Sequence, residues 1–504
     1  MMLLPSAQEI SRFRTKIVEL MGLNFDESKF DILAKVLHSR MLANGMEHTP
    51  YIDSLDTRSS EEIRLLAREL TVTETYFLRN IDQFNAFAEV ALPERLAVHD
   101  GNRNIEVLSA GCASGEEPYS LAITVREHCS YAADRISITA FDLNPAMLQK
   151  AAQARYSNWS LRDLSDELKK RWFKVGGDAF NLNDAIRKSV VFESRNLTQD
   201  GADFWSPARF DVVFCRNVLM YFSNDQAQAA VDRIARAMAP GGYLFLGHAE
   251  TLRGISNDFH LRHSHDTFYY QRKEHIVSSH VRLPQLQPRV RWKPAASLSA
   301  DTSWIEAIQR ASDRIQALTP AVEVAMFDNA IYVGDRPMPD LHRVLESLHS
   351  ERYDRSLDQI GNLPVQHAHD PDVLLLKAVS LIHSGALAEA EVVCEELLKC
   401  DEFNAGAHYV LALCREGAGD LDGAVEHDQT ATYLDPKFAM PRLHLGLVSR
   451  RQGEHDSARK DLGLALLLLQ HEDASRVLLF GGGFKREALL ALCRAELAAL
   501  GENK

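Results

Sequence analysis

The sequence predicts three parts in succession: a small helical domain, a doubly wound α/β domain, and an all-α domain built of repeats. Three observations carry that reading. From residue 8 to about 70, apolar residues recur at helical spacing. From 105 to about 272, short apolar runs alternate with helical patterns, as in a parallel sheet joined by crossover helices. From about 370, small residues return every 34 positions. A chain of 504 residues is too long for one core, and 46% hydrophobic with 25% charged residues is ordinary globular composition. The net charge of −14 argues against non-specific nucleic-acid binding. No apolar run suits a membrane span or a signal peptide, so no membrane insertion and a cytoplasmic location are expected. The seven cysteines show no CxxC pair or His-Cys ligand spacing; they read as reduced thiols, and no metal site is expected.

Taken in order, residues 1–80 form the helical domain and a connector. Gly22 and Gly45 stop its segments, and Phe30, Leu33, Val36 and Leu37 mark an apolar face. Lys29, Lys35, His38 and Arg40 on the second segment form either a solvated face or a docking face for an acidic partner. In the connector, Thr71, Thr73 and Thr75 alternate before Tyr76, Phe77 and Arg79, which favours extended chain, and an arginine there can grip a carboxylate bidentately.

Residues 81–272 form the Rossmann-like domain, organised around Ile105–Ala122. Ile105, Val107 and Leu108 make a buried strand; Gly111 and Gly115 open a loop; a helix follows with Pro118 in its first turn. Such a loop aims backbone N–H groups at a cofactor. It is neither G-x-G-x-x-G nor a P-loop, and Glu116 and Glu117 stand where a phosphate would sit, which suits a cofactor carrying positive charge. Asp142, after the second strand, is placed to meet ribose hydroxyls or to cap the helix near Pro145. The strand ending at Cys215 puts Arg216, Asn217 and Tyr221 beyond the sheet's carboxyl edge, where ligands bind. Two short aromatic strands, near 259–261 and 267–271, close the domain.

Residues 273–300, with Pro284, Pro288 and Pro294, read as a linker, and 301–364 as a helical segment holding a degenerate repeat at 338–361. In 365–504 three columns repeat at a period of 34: Gly385, Gly419, Gly453; Ala390, Ala424, Ala458; and Ala378, Ala412, Gly446. That is the signature of tetratricopeptide helix pairs, expected at 372–384 with 387–399, 406–417 with 421–433, and 440–451 with 455–469, with 484–500 as a capping helix. The glycine run before Phe484 reads as a hinge, since no strand precedes it. This part carries 22 Asp and Glu against 14 Lys and Arg, and such stacks bind protein or peptide partners.

Six strings in one consistent order, LTVTETYFLR, SAGCASGEEPYSLA, AFDLN, FESRNL, FCRNVLMYF and LFLGHAE, resemble the CheR-type chemotaxis methyltransferases over roughly residues 8 to 272. The resemblance implies an S-adenosylmethionine-dependent enzyme that methylates glutamate side chains of chemoreceptors. It implies cofactor contacts at Thr73, Thr75, Arg79, Glu117, Asp142, Asn196, Leu197, Cys215 and Arg216, with Asn217 and Tyr221 lining the transfer site and Arg79 sharing binding and catalysis. The repeats resemble the tetratricopeptide-bearing variant of the family. Leu78 stands where members often have Phe. The stretch Trp172–Asp178 lies where the family inserts a small β-subdomain; members that dock on a receptor tail carry a longer glycine-rich loop there, so tethering to a tail is not implied. A nucleic-acid methyltransferase fits less well, because Cys215-Arg216-Asn217-Val218 replaces the Asn/Asp-Pro-Pro-aromatic tetrad. A catalytically silent cofactor-binding scaffold is the remaining alternative.

Overall fold

The computed structural model describes residues 5–56, 60–99, 103–199, 201, 203–274, 341–350, 352–482 and 484–501; nearly all of the expected linker and residues 301–340 lie outside them. The chain divides into two compact units, Met1–Gln287 and Pro288–Lys504.

The first unit begins with four helices: α1 (Ala7–Met21), α2 (Phe30–Ala43), α3 (His48–Ser54) and α4 (Ser60–Leu70). Helix α1 starts where it does because Ser6 and Glu9 cap each other reciprocally, and it stops at Gly22, whose φ of 76° turns the chain out of the helix. Between these ends Ile10, Phe13, Ile17 and Met21 recur on one face and pack with Leu33, Leu37, Tyr51 and Leu66. Of the four cationic residues expected on one face of α2, Arg40 turns inward instead. It donates two hydrogen bonds to Glu62, at 3.0 and 2.8 Å, and the buried Tyr51 hydroxyl donates a third at 2.7 Å. Burial pushes the Glu62 carboxyl up, but these bonds outweigh it and leave the group below its ordinary value. His38 is spent on His48, 3.3 Å away. Lys29 and Lys35 remain exposed.

After α5 (Ile81–Ala86) and α6 (Leu92–His99) comes a seven-stranded sheet: β1 (Ile105–Ala110), β2 (Ile136–Asp142), β6 (Val190–Ser194), β7 (Phe210–Cys215), β8 (Met238–Leu246), β9 (Phe259–Ser264) and β10 (Thr267–Arg272). Their order is β6-β2-β1-β7-β8-β10-β9. The first five are parallel, while β10 runs antiparallel to both β8 and β9. The expectation of a doubly wound sheet holds, with an antiparallel edge added. The helices α7 (Glu116–His128), α8 (Pro145–Gln153) and α11 (Asn224–Ala237) supply crossovers, α8 in the β2-to-β6 connection. The chain leaves β1 toward β2 on one side and returns to β7 on the other, so the winding reverses between β1 and β7. Crevices for ligands open at such a reversal.

Between α8 and β6 lies a second sheet of β3 (Arg155–Tyr156), β4 (Phe173–Gly176) and β5 (Ala179–Leu182), preceded by α9 (Asp166–Trp172) and followed by α10 (Asp184–Arg187). The β4–β5 hairpin turns at Gly177, where φ is 71°, within the stretch expected to hold a β-subdomain. Leu161, Leu164, Phe173 and Leu182 anchor this insert in the same core as Val107 and Phe214.

In the second unit the helix pairs are Pro371–His383 with Leu387–Cys400, Ala405–Gly417 with Leu421–Leu434, and Ala439–Gln452 with His455–Leu469, within a residue or so of the expected bounds. Gly385, Gly419 and Gly453 share one backbone conformation, with φ of 82°, 83° and 82°. A side chain at any of them would meet open space, so the period records a left-handed turn and not a packing need. The Ala378, Ala412 and Gly446 column is different: a Cβ at Gly446 would lie 2.6 Å from Leu462, so there closeness of helices decides. Helices His342–His349 and Tyr353–Gly361 form the expected preceding pair, and Arg486–Gly501 the cap. A helix at Ala474–Phe480 was not foreseen; Phe480 packs against Tyr409 and Phe438, and the Gly481 N–H closes that helix on Val477. No described helix is long and apolar enough to cross a membrane.

Candidate active site

At the end of β1 the chain passes through Gly111 (φ 77°), Ala113 (φ 44°) and Gly115 (φ 92°) before α7 begins. Glycine adopts this left-handed conformation without steric cost, whereas Ala113 is strained there and is held by its neighbours. The Gly111 and Cys112 N–H groups donate to the Phe141 carbonyl at 2.9 and 3.0 Å, and the Ala113 N–H donates to Asp142 at 2.8 Å. A Cβ at Gly111 would lie 2.4 Å from Val218, so glycine is required by space as well as by φ.

Across the winding reversal, β7 ends in Cys215, followed by Arg216, Asn217 (φ 57°) and a short helical turn at Leu219–Tyr221. Glu250, just beyond β8, organises this turn. Its Oε2 accepts the N–H groups of Asn217 and Gly247, each at 2.7 Å, and its Oε1 those of Val218 and Met220, at 2.8 and 3.1 Å. Sequence reasoning assigned Glu250 no role, although a carboxylate just past the carboxyl end of a parallel strand stands where a site residue is expected.

The connector arrives from the other side with Leu78 (φ 54°) and Asn80 (φ 61°) bracketing Arg79. Leu78 is buried and its N–H donates to Ser120 Oγ at 2.9 Å, which fixes the strained turn against α7. The result is a cleft that brings together Thr75, Arg79, Glu117, Arg216 and Asn217 with Tyr76, Phe84 and the loop Gly111–Ala113.

Charge in this cleft is arranged in pairs. Arg216 is buried and donates from Nη2 to the Arg79 carbonyl at 2.5 Å and to Asn80 Oδ1 at 2.9 Å. Its Nε lies 3.7 Å from Glu117 Oε2, and neither Nε nor Nη1 has a hydrogen-bond partner among the described residues. Burial pulls the Arg216 guanidinium below its ordinary value, with Glu117 opposing and Arg79 adding to the effect. Glu117 accepts from Ser109 Oγ at 2.8 Å; burial raises its carboxyl, against the pull of Arg216, Ser109 and Arg79.

The other expected site residues, Thr73, Asp142, Asn196, Leu197, Cys215 and Tyr221, are not among those that line the cleft. Asp142 binds the N–H groups of Ala113 and Asn144, at 2.8 and 2.7 Å, and so ties the glycine loop to the end of β2. It does not cap the following helix; Asn144 does, accepting from Ala146 and Met147. Thr73 is exposed on the connector beside Thr75. Asn196 donates to the Leu20 carbonyl at 2.9 Å and accepts twice from Thr198, while the Leu197 carbonyl takes an Arg233 N–H at 2.7 Å. Cys215 is fully buried, which raises its thiol. Tyr221 packs on the N-terminal helical core, and its carbonyl accepts the Asn24 N–H at 2.7 Å.

The family model described as CheR methyltransferase, SAM binding domain, matches residues 73–268. Chemotaxis protein methyltransferase 2 of Vibrio cholerae is 35% identical over 268 residues, covering 52% of this chain and 92% of its own. The chain belongs to the CheR methyltransferase family. A probable biofilm formation methyltransferase, WspC, of Pseudomonas putida is similar across both units, 27% identical over 462 residues that cover 89% of this chain and 96% of its own. Chemotaxis protein methyltransferase 1 of Pseudomonas aeruginosa is 30% identical over 256 residues, 49% of this chain and 92% of its own.

As a CheR methyltransferase the chain uses S-adenosylmethionine, and the cleft's chemistry fits that molecule. The unpartnered Arg216 N–H groups and Arg79 call for a carboxylate, and the buried Glu117 calls for a cation. The amino-acid end of S-adenosylmethionine carries both charges.

Proposed function

We propose that the protein esterifies glutamate side chains of a chemoreceptor-type signalling protein. The observation that carries this reading is the cleft at the β1/β7 reversal, where Arg79, Arg216 and Glu117 meet. Held by these residues, S-adenosylmethionine would supply a methyl group on positively charged sulfur, which would pass to a carboxylate oxygen of the acceptor with the C–S bonding pair left on sulfur. No proton moves, because a glutamate is already ionised near neutral pH. The cleft accordingly needs no general base. His248 is pushed down by burial and by the charge of Arg216, and no histidine is among the described residues that line the cleft. The chain's own work is to seat the cofactor's two charged groups with Arg216, Arg79 and Glu117, to hold Asn217 at the transfer point, and to exclude water.

In this reading Arg79 binds a carboxylate and contributes nothing to the core. Arg79→Ala should fold normally, keep its melting temperature, and lose most methyl transfer; turnover near that of the wild type would refute the assignment. The reaction runs in the cytoplasm without a metal or a nucleic-acid substrate. The repeats serve recruitment through a protein or peptide partner, and their acidic surface is not complementary to an acidic acceptor. The relative that spans both units is named for biofilm formation, which supports an output other than swimming for the pathway.

A further inference from the structure

Next to Tyr76, a residue of the cleft, Arg162 lies against two aromatic rings. Its guanidinium carbon is 3.5 Å from the centre of the Tyr76 ring and 4.2 Å from that of Trp159, and its Nη1 donates to the Trp159 carbonyl at 2.8 Å. Tyr76 lines the cleft, and the Arg79 guanidinium carbon sits 5.7 Å from the same ring. Two guanidinium groups thus share one aromatic ring at the site of methyl transfer. Neither has a carboxylate at ion-pair distance among the described residues, in a chain whose net charge is −14.

Trp159 and Arg162 come from the loop between β3 and α9, in the inserted subdomain. That loop is already held without them. Leu161 and Leu164 enter the domain core, and the Phe77 N–H donates to the Ser160 carbonyl at 2.9 Å. Stacking an arginine between two rings removes its conformational freedom while leaving its edge N–H groups available, which is the preorganised state that a planar carboxylate engages. Trp159 itself is 67% exposed, so its ring is open to an incoming segment.

We propose that Trp159, Arg162 and Tyr76 form a docking shelf that reads a second carboxylate of the acceptor protein, within one helical turn of the glutamate being methylated. The acceptor segment is therefore locally acidic, and Arg162 selects it by charge and by its fork of N–H groups, while Arg79 serves the cleft. This rests on the glutamate-acceptor reading above and adds what the enzyme requires beside the reacting residue.

The test uses the full-length protein and a chemoreceptor cytoplasmic fragment, with acidic residues flanking the methylated position kept or changed to Gln. Arg162→Ala should raise KM for the fragment about tenfold, the scale of one charge-assisted hydrogen bond, with kcat within about twofold. The melting temperature and calorimetric Kd for S-adenosylmethionine should not change. Arg162→Lys should restore part of the loss, because it keeps charge without the fork. On fragments whose flanking acids are Gln, Arg162→Ala should add no further loss, the non-additivity of groups in contact. An unchanged KM, an equal loss on both kinds of fragment, or a loss of cofactor binding would each overturn the shelf. Absence of any methyl ester with the wild type would instead overturn the acceptor reading, and the shelf with it.

Discussion

Replacing Glu250 by Gln probes how the turn after β7 is held. Each carboxylate oxygen of Glu250 accepts two backbone N–H groups, at 2.7 to 3.1 Å, from Asn217, Val218, Met220 and Gly247. The amide keeps one oxygen and turns the other into a donor that faces two donors. At roughly 1.5 kcal/mol or more for each hydrogen bond to a charged group, losing two costs about 3 kcal/mol. For a unit of this size that lowers the melting temperature by about 6 to 12 °C. The loosened segment carries Arg216 and the left-handed Asn217, so affinity for S-adenosylmethionine should fall about tenfold or more as well. Scanning calorimetry and isothermal titration of Glu250→Gln and Glu250→Asp check both effects, with the Asp variant intermediate because it keeps the charge at shorter reach. A Gln variant that melts and binds like the wild type would refute the idea that Glu250 holds the cleft.

Gly111→Ala should abolish cofactor binding, because the new methyl would meet Val218 at a residue with φ of 77°; adding Val218→Ala should restore space but not the backbone angle, so titration should show at most partial recovery. Asp211, fully buried, accepts from Arg95, His99 and Arg103, and Asp211→Asn should destabilise the first unit by about 3 kcal/mol in chemical denaturation because it leaves the buried Arg95 guanidinium uncompensated. In the repeats, burial pulls His444 down, but Asp428 at 2.6 Å and Glu416 at 2.8 Å outweigh it and raise it to about 9. The stability from its charge is complete below the ordinary histidine value of about 6.5 and fades as pH rises through about 9, so the repeat transition of the wild type should drop between those values, and a transition that does not fall across that window would refute the assignment.

The parts of the fold visible in the sequence are those written in local chemistry. The 34-residue spacing of Gly385, Gly419 and Gly453 reports one left-handed turn repeated three times, and the Gly111–Gly115 loop reports a strand-to-helix passage that other residues make with difficulty. The convergence of Glu117, Arg216 and Asn217 follows from placing the ends of β1 and β7 side by side, which the alternation of strands and helices implies, whereas Thr75 and Arg79 reach the cleft on the connector. What stayed hidden depends on partners distant in sequence. Arg40 looked like a surface charge until Glu62 folded against it, and Glu250 acquires its role mainly from backbone groups about 30 residues away. Likewise the stacking of Arg162 on Tyr76 needs the insert to be seated, and the Asp211 network joins residues more than 100 positions apart.

A methyl group passed by this cleft to a glutamate oxygen leaves a carboxyl methyl ester. Full-length protein incubated with methyl-labelled S-adenosylmethionine and a chemoreceptor cytoplasmic fragment should place label on the fragment as carboxyl methyl esters, released as methanol by mild base and mapped by mass spectrometry to glutamate. Label that survives base, lies on another residue type, or fails to appear while calorimetry shows the cofactor bound would contradict it.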